Sequence, residues 1–110
     1  MIEEIVRDYL SDNGINAFME ENGNMPEEYV LVEKAGSSIT DHISKATIII
    51  QSYAKSLLKA ARLNEKVKPI MLGITSLNSV SRCELNSDYN YTSTSTKKYR
   101  YQAVYEIVHY

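Results

Sequence analysis

The sequence predicts an α+β domain: a mainly antiparallel sheet with helices packed on one face, in the order α-β-β-β-α-β-β, closing on a long C-terminal hairpin. Three observations carry this. Apolar residues recur at helical spacing near the start and again over residues 53–71. Between those stretches lie β-branched runs bounded by Gly, Ser and Asn. The last third alternates apolar and polar residues twice, on either side of an all-polar tip.

In chain order, Ile2, Ile5, Val6, Tyr9 and Leu10 fall at three- and four-residue spacing before Asp12-Asn13-Gly14, which predicts a short amphipathic helix over 2–11. Residues 15–19 form a brief apolar stretch read as a strand, and 20–28, with Asn22-Gly23-Asn24 and Pro26, a polar connection. Tyr29-Val30-Leu31-Val32 reads as a strand stopped by Ala35-Gly36-Ser37-Ser38, with a loop over 36–42. Ala46 to Gln51, with three consecutive isoleucines, suits a central strand.

Ser52 then reads as a helix cap. At 100° per residue, Tyr53, Leu57, Ala60, Ala61, Val67 and Met71 share one arc, and Lys55, Lys59, Arg62 and Lys66 lie opposite. Pro69 predicts an end or a bend near Lys68, or a kinked continuation through Met71. From Val80 to Tyr91, Cys83, Leu85, Ser87, Tyr89 and Tyr91 alternate with Arg82, Glu84, Asn86, Asp88 and Asn90. Residues 99–109 repeat the pattern, with Tyr99, Tyr101, Ala103, Tyr105 and Ile107 on one face and Arg100, Gln102 and Glu106 on the other. The tip is Thr92 to Lys98, and closure around residues 94–95 would make paired positions sum to about 190.

The 110 residues suit one domain, 1–110, and the composition, 44% hydrophobic and 24% charged, is that of a folding chain. The net charge of −2 does not advertise nucleic acid or an anionic membrane. One cysteine, Cys83, can form no internal disulfide, which points to a reducing cytoplasm. The acidic, discontinuous N-terminus does not read as a signal peptide, and no segment approaches the roughly 20 apolar residues of a membrane span. No metal or cofactor is expected: two histidines and one thiol are too few for a common zinc site, and four isolated glycines make no phosphate-cradling loop.

Charge is segregated. Residues 1–33 hold nine acids and one base, Arg7, for −8, and residues 34–110 carry +6. The two parts can attract each other within one chain, or opposite charges on different surfaces can set the register of a head-to-tail interface between copies. Aromatic usage is also skewed, with nine tyrosines, one phenylalanine and no tryptophan, and five tyrosines between Tyr89 and Tyr105. An amphipathic hairpin accounts for that cluster, and so would a binding surface, because tyrosine joins an apolar body to a polar tip.

No catalytic constellation is legible, so an enzyme is not expected. Cys83 and His109 would be diagonal neighbours in the 190 register, but no orienting group or oxyanion donor accompanies them. Asp41-His42 has no third ligand at a metal spacing, and Glu27-Glu28 borders a loop without a partner carboxylate. The row Lys55, Lys59, Arg62 and Lys66 has three readings: a solvated helix face, a phosphate-contacting stripe, or a surface for the acidic segment of a neighbouring copy.

The order of segments adds a resemblance. Tyr29-Val30-Leu31-Val32-Glu33-Lys34-Ala35-Gly36-Ser37-Ser38, then Ile48-Ile49-Ile50-Gln51-Ser52-Tyr53-Ala54-Lys55-Ser56 with Ala60 and Ala61 beyond, then Tyr99-Arg100-Tyr101-Gln102-Ala103, resembles the tail terminator (tail completion) proteins of long-tailed phages and prophages. The resemblance spans residues 26–110, and minor capsid and head–tail connector proteins share it at this level. It implies a structural subunit that forms a ring, typically a homohexamer, capping the tail tube and joining it to the head. Its partners would be itself, the tail tube protein and a head-completion or connector protein, with no membrane and no specific nucleic acid. Its places would be the host cytoplasm during assembly and the head-proximal end of the virion tail. Within that expectation, ring contacts fall on Lys55, Lys59, Arg62, Lys66, Glu27 and Glu28, and partner docking on Tyr89, Tyr91, Lys97 and Lys98. The alternatives are a connector or minor capsid protein and, from another class, a nucleic-acid-binding α+β module using the basic helix face.

Overall fold

A computed structural model describes residues 1–93 and 95–110. The elements are α1 (Ile2–Asp12), β1 (Ala17–Phe18), β2 (Tyr29–Thr40), β3 (Ile43–Ala54), α2 (Leu57–Leu72), a 3-10 turn (Gly73–Ser76), β4 (Val80–Asn90) and β5 (Tyr99–His109). The sheet order is β1-β2-β3-β5-β4, with β1 parallel to β2 and every other pair antiparallel. This is the expected α+β architecture and element order.

Both helices lie on one face. Ile2, Val6 and Leu10 of α1 and Ala60, Leu63, Val67 and Met71 of α2 enter one core with Val30, Val32, Ala46, Ile48, Ile50, Ala103, Tyr105 and Ile107. Burying each large aliphatic side chain contributes about 1.5–3 kcal/mol, so this layer dominates the stability. α1 packs against β1 and β2, and α2 against β3, β5 and β4. The end of α1 is turned by Asn13, whose Nδ2 donates to Tyr9 O at 2.8 Å, and by Gly14 at φ 84, where a side chain would be strained.

Several boundaries differ from the sequence expectation. The loop expected over 36–42 is strand: β2 runs to Thr40 and β3 starts at Ile43, joined by Asp41 and His42 at φ 51 and 66. Two successive positive φ values are what a tight two-residue hairpin needs. Gly36 does not stop β2 but sits at a bulge in its pairing with β3. Residues 33–40 are all exposed, so no apolar alternation marked them as strand.

Ser52 does not cap a helix. It is a fully buried strand residue, and the cap is Ser56, whose Oγ accepts from Lys59 N at 3.2 Å. The strand runs on through Tyr53 because Tyr53 pairs with Tyr29 and Arg100 on its two sides. Tyr53 and Leu57 therefore leave the expected buried arc, Leu57 being exposed at 41%, and Asn64 enters it at 1%. Asn64 is held there by donating to Asp88 Oδ2 at 2.8 Å. The helix continues past Pro69 to Leu72.

In the last hairpin, Cys83↔Ile107 and Leu85↔Tyr105 keep the 190 register, and a bulge between Leu85 and Ser87 moves the pairing to Asp88↔Ala103 and Tyr89↔Gln102. The extra residue reverses the alternation, so Tyr89 and Tyr91 do not share a face with Cys83 and Leu85. Asp88 lies under α2 instead. The expected all-polar tip includes Thr94, which lies outside the described residues; Ser93 bridges to Lys98 across it.

Candidate docking surfaces

The basic row is not one helix face. Lys59, Arg62 and Lys66 are exposed on α2, but Lys55 precedes the helix cap. Among the described residues none of the four has an ion pair, whereas on the flank toward β4 Lys68 Nζ reaches Glu65 Oε1 and Asp88 Oδ2, each at 2.7 Å. Glu27 and Glu28 are exposed in the connection before β2 and also have no ion pair among the described residues. Among the described residues, ion pairs between the acidic and basic parts of the chain are two, Lys34–Glu3 at 3.9 Å and Lys98–Glu21 at 3.2 Å.

The sheet face opposite the helices carries a row of side chains at one end. Tyr29, Tyr53 and Arg100 are direct cross-strand partners, and Tyr91 continues the row through its N–H to Arg100 O. Tyr29 and Tyr53 stack at 4.9 Å with 9° between their planes, and Phe18 meets Tyr29 edge-on. The Arg100 guanidinium lies 5.7 Å from the Tyr53 centroid and 4.5 Å from that of Tyr91. Its Nη1 donates to Tyr53 Oη at 2.7 Å and its Nε to Tyr91 O at 2.7 Å. One row further along, Gln51, Gln102 and Tyr89 are joined, with Gln102 Nε2 donating to Tyr89 Oη at 2.7 Å.

This network uses part of the expected docking set. Tyr89 and Tyr91 pack edge-to-face yet stay 42% and 49% exposed, so each keeps a free surface. Lys98 is drawn toward Glu21, which also accepts from Tyr29 Oη at 2.6 Å. The Tyr29 hydrogen bond, then Lys98, holds the Glu21 carboxyl below its ordinary range, and burial pushes the Tyr29 hydroxyl up. Beside these groups an open notch of about 280 Å³ is lined by Glu27, Lys55, Lys97, Lys98 and the rims of Tyr53 and Tyr99. Residues expected at two separate interfaces thus meet at one notch.

Sequence reasoning missed Tyr29, Tyr53, Arg100, Gln51, Gln102 and Glu21 as one assembly. The signal was register: a turn at Asp41-His42 together with the bulge between Lys34 and Gly36 sets Tyr29 opposite Tyr53, whereas the turn alone would set it opposite Ala54. Reading 36–42 as loop hid it.

The thiol–imidazole pair is not formed. His109 lies opposite Val80, and no hydrogen bond joins it to Cys83; His109 Nδ1 lies 3.3 Å from Tyr110 O. Burial, then Glu84, pushes the Cys83 thiol up to about 11, which disfavours the nucleophilic thiolate. Among the described residues no group of three His, Cys, Asp or Glu side chains could hold a metal ion, and no helix is long and apolar enough to cross a membrane. No family model and no curated protein matches the chain.

Proposed function

We propose that the chain is a structural assembly subunit of the tail-terminator kind, forming a ring from copies of itself that caps a phage tail tube and joins it to the head. One observation supports this most: Lys59, Arg62 and Lys66 on α2, and Glu27 and Glu28 before β2, are exposed charges of opposite sign without ion pairs among the described residues, while Lys55 shares the notch of Glu27. Two unlike surfaces of that kind suit a heterologous, ring-closing contact, where charge sets register and disfavours wrong pairings. The exposed Tyr89, Tyr91 and Lys97 at the hairpin end offer a second surface, suited to the tube or connector protein.

The test is solution mass over a range of protein and salt concentrations, with imaging of any large species. The expected result is a closed ring of about six subunits that weakens as salt screens the charges. The double variant Lys59→Glu/Arg62→Glu, both positions being exposed, leaves the fold intact and abolishes the ring. A wild-type chain that stays monomeric at every concentration and on isolated tail tubes overturns the reading. So does steeply salt-dependent retention on DNA without self-assembly, which selects the nucleic-acid module.

A further inference from the structure

Both lateral edges of the sheet are open. β1 pairs only with Val30 and Leu31, so the outer side of β2 has no strand partner beyond Leu31 among the described residues, and β4 closes the other side with none. A long unpaired edge is a row of unsatisfied donors and acceptors, and proteins cover, blunt or use it.

The two edges match each other in direction and in facing. Across β2-β3-β5-β4 every pairing is antiparallel, so β2 and β4 run in opposite directions. A neighbour added side by side in the same orientation therefore brings its β4 antiparallel to β2. The Val30 N–H donates to Asn16 O, away from β3, which puts the outward amides on 30, 32 and 34 and, past the bulge, on 37 and 39. The Tyr91 N–H donates to Arg100 O, toward β5, so the outward amides of β4 are 88 and 90 and, past its bulge, 83 and 85. In both strands the outward set includes the residues whose side chains lie on the helix side, such as Val32 and Asp88. Joining the edges would thus keep the helices of both copies on one face.

Exposed apolar side chains flank both edges at the same end. Ile39, Ser44, His109 and Val80 form one cross-strand row, and Ile39, 74% exposed, lines a depression there with Met1, 72% exposed. α2 runs toward that end, and Leu72, one helical turn beyond Lys68 on the flank facing β4, is 46% exposed.

We propose that β4 of one copy pairs antiparallel with residues 34–39 of β2 of the next, so that one sheet runs through the assembly, with Ile39 and Met1 packed against Leu72. Paired row for row, residues 34 and 37 face 85 and 83, and β1, whose parallel pairing with Val30 and Leu31 also takes up the Val32 amide, marks where the pairing stops. The bulges of β4 leave 82–85 and 87–90 regular for it. The inference rests on the reading that the chain assembles with copies of itself, and adds which strands carry the contact.

Backbone amide exchange of the full chain, below and above the assembly concentration, tests it. Amides 37, 39, 83 and 85 slow by about tenfold or more on assembly, a change that opening of the paired edge would limit. Ser37→Cys, an exposed substitution, yields an oxidant-dependent covalent ladder with the native Cys83, and the ladder vanishes in Ser37→Cys/Cys83→Ser. A ring whose edge amides exchange as in the monomer, or which gives no ladder, overturns the edge pairing and leaves the ring standing. Slowed β2 amides with unchanged β4 amides also overturn it, in favour of a two-fold β2–β2 contact. Protected edges and a ladder in an open filament uphold the pairing and overturn the ring.

Discussion

The two faces of the central sheet are built from the same strands by opposite chemistry. Along β3, Ile48 and Ile50 point under the helices and are fully buried among aliphatic side chains, while Ile49, Gln51 and Tyr53 point to the uncovered face. The covered face excludes water chiefly by packing, with one polar cluster where Asn64 and Lys68 of α2 meet Asp88. The open face reaches comparable burial at one end, 9% exposure for Tyr29 and 6% for Tyr53, with stacked rings, a guanidinium and shared hydrogen bonds. One face is held by volume, which tolerates little change, and the other by directional contacts that leave Tyr89 and Tyr91 about half exposed.

The sharpest break of that comparison is between neighbours on one strand. Ile50→Ala leaves a cavity in the closed layer and costs about 2–5 kcal/mol. Ile49→Ala, on the half-exposed face, costs about 1–2 kcal/mol, because solvent fills the space and less area was buried. Urea unfolding of both variants checks this, and equal losses would mean that the open face is as closed as the other.

A smaller effect separates two tyrosine hydroxyls. Tyr53→Phe removes an acceptor for Arg100 Nη1 and a donor to Gln51 Oε1 at 3.2 Å, and costs about 1–2 kcal/mol. Tyr105→Phe has the opposite sign. The Tyr105 hydroxyl is buried under the helices with no hydrogen-bond partner among the described residues, so its removal stabilises by up to about 1 kcal/mol. Loss of stability in Tyr105→Phe would reveal a partner for that oxygen.

The covered face was legible in the sequence because burial writes a period. The three isoleucines, the 3.6-residue spacing of α1 and the alternation of β5 each mark residues that must leave water. What period cannot see is strand without burial and burial without apolarity. Residues 33–40 are strand by backbone pairing alone, and Asp41-His42 is an unusual sequence for a tight turn. Asn64 and Gln102 are buried polar residues whose partners come from distant strands, and the buried Ser52 hydroxyl has no partner among the described residues. Tyr53 fits both a helical arc and a strand alternation, and only its cross-strand partners decide between them. A bulge such as Leu85/Ser87 reverses facing without any mark in composition, which is why Tyr89 and Tyr91 were expected beside Cys83. Of the candidate docking surfaces, the exposure of the charged residues was legible one by one. The notch that gathers Glu27, Lys55, Lys97 and Lys98 was not, because it depends on where the strands end.

The smallest difference between the faces is electrostatic, and it has a direction in pH. On the covered side Asp88 is held below its ordinary range by Lys68 and then by the Asn64 hydrogen bond; on the open side Glu21 is held down by Tyr29 and then by Lys98. A carboxyl depressed in the folded state adds stability that is complete above its unfolded pKa, about 3.9 for Asp and 4.3 for Glu, and is lost as pH falls through the folded value. Asp88→Asn and Glu21→Gln therefore destabilise by a constant amount above about pH 5.5, and each difference from the wild type shrinks below about pH 4. Both carboxylates are solvent-accessible, so salt weakens both effects. Asp88 faces a lysine that also pairs with Glu65 and a buried amide that adds no charge, whereas Glu21 meets one lysine and a hydroxyl, so the two respond differently to salt. Screening weakens the Lys68, Lys98 and Arg100 contributions and spares the neutral hydrogen bonds; the neutral bond from Tyr29 leads at Glu21 whereas the charge of Lys68 leads at Asp88, leaving Glu21→Gln the less salt-sensitive of the pair. Urea midpoints at pH 7 and pH 3, each at low and high salt, measure this directly. Identical salt responses would mean that the Tyr29–Glu21 hydrogen bond adds nothing beyond the ion pair beside it.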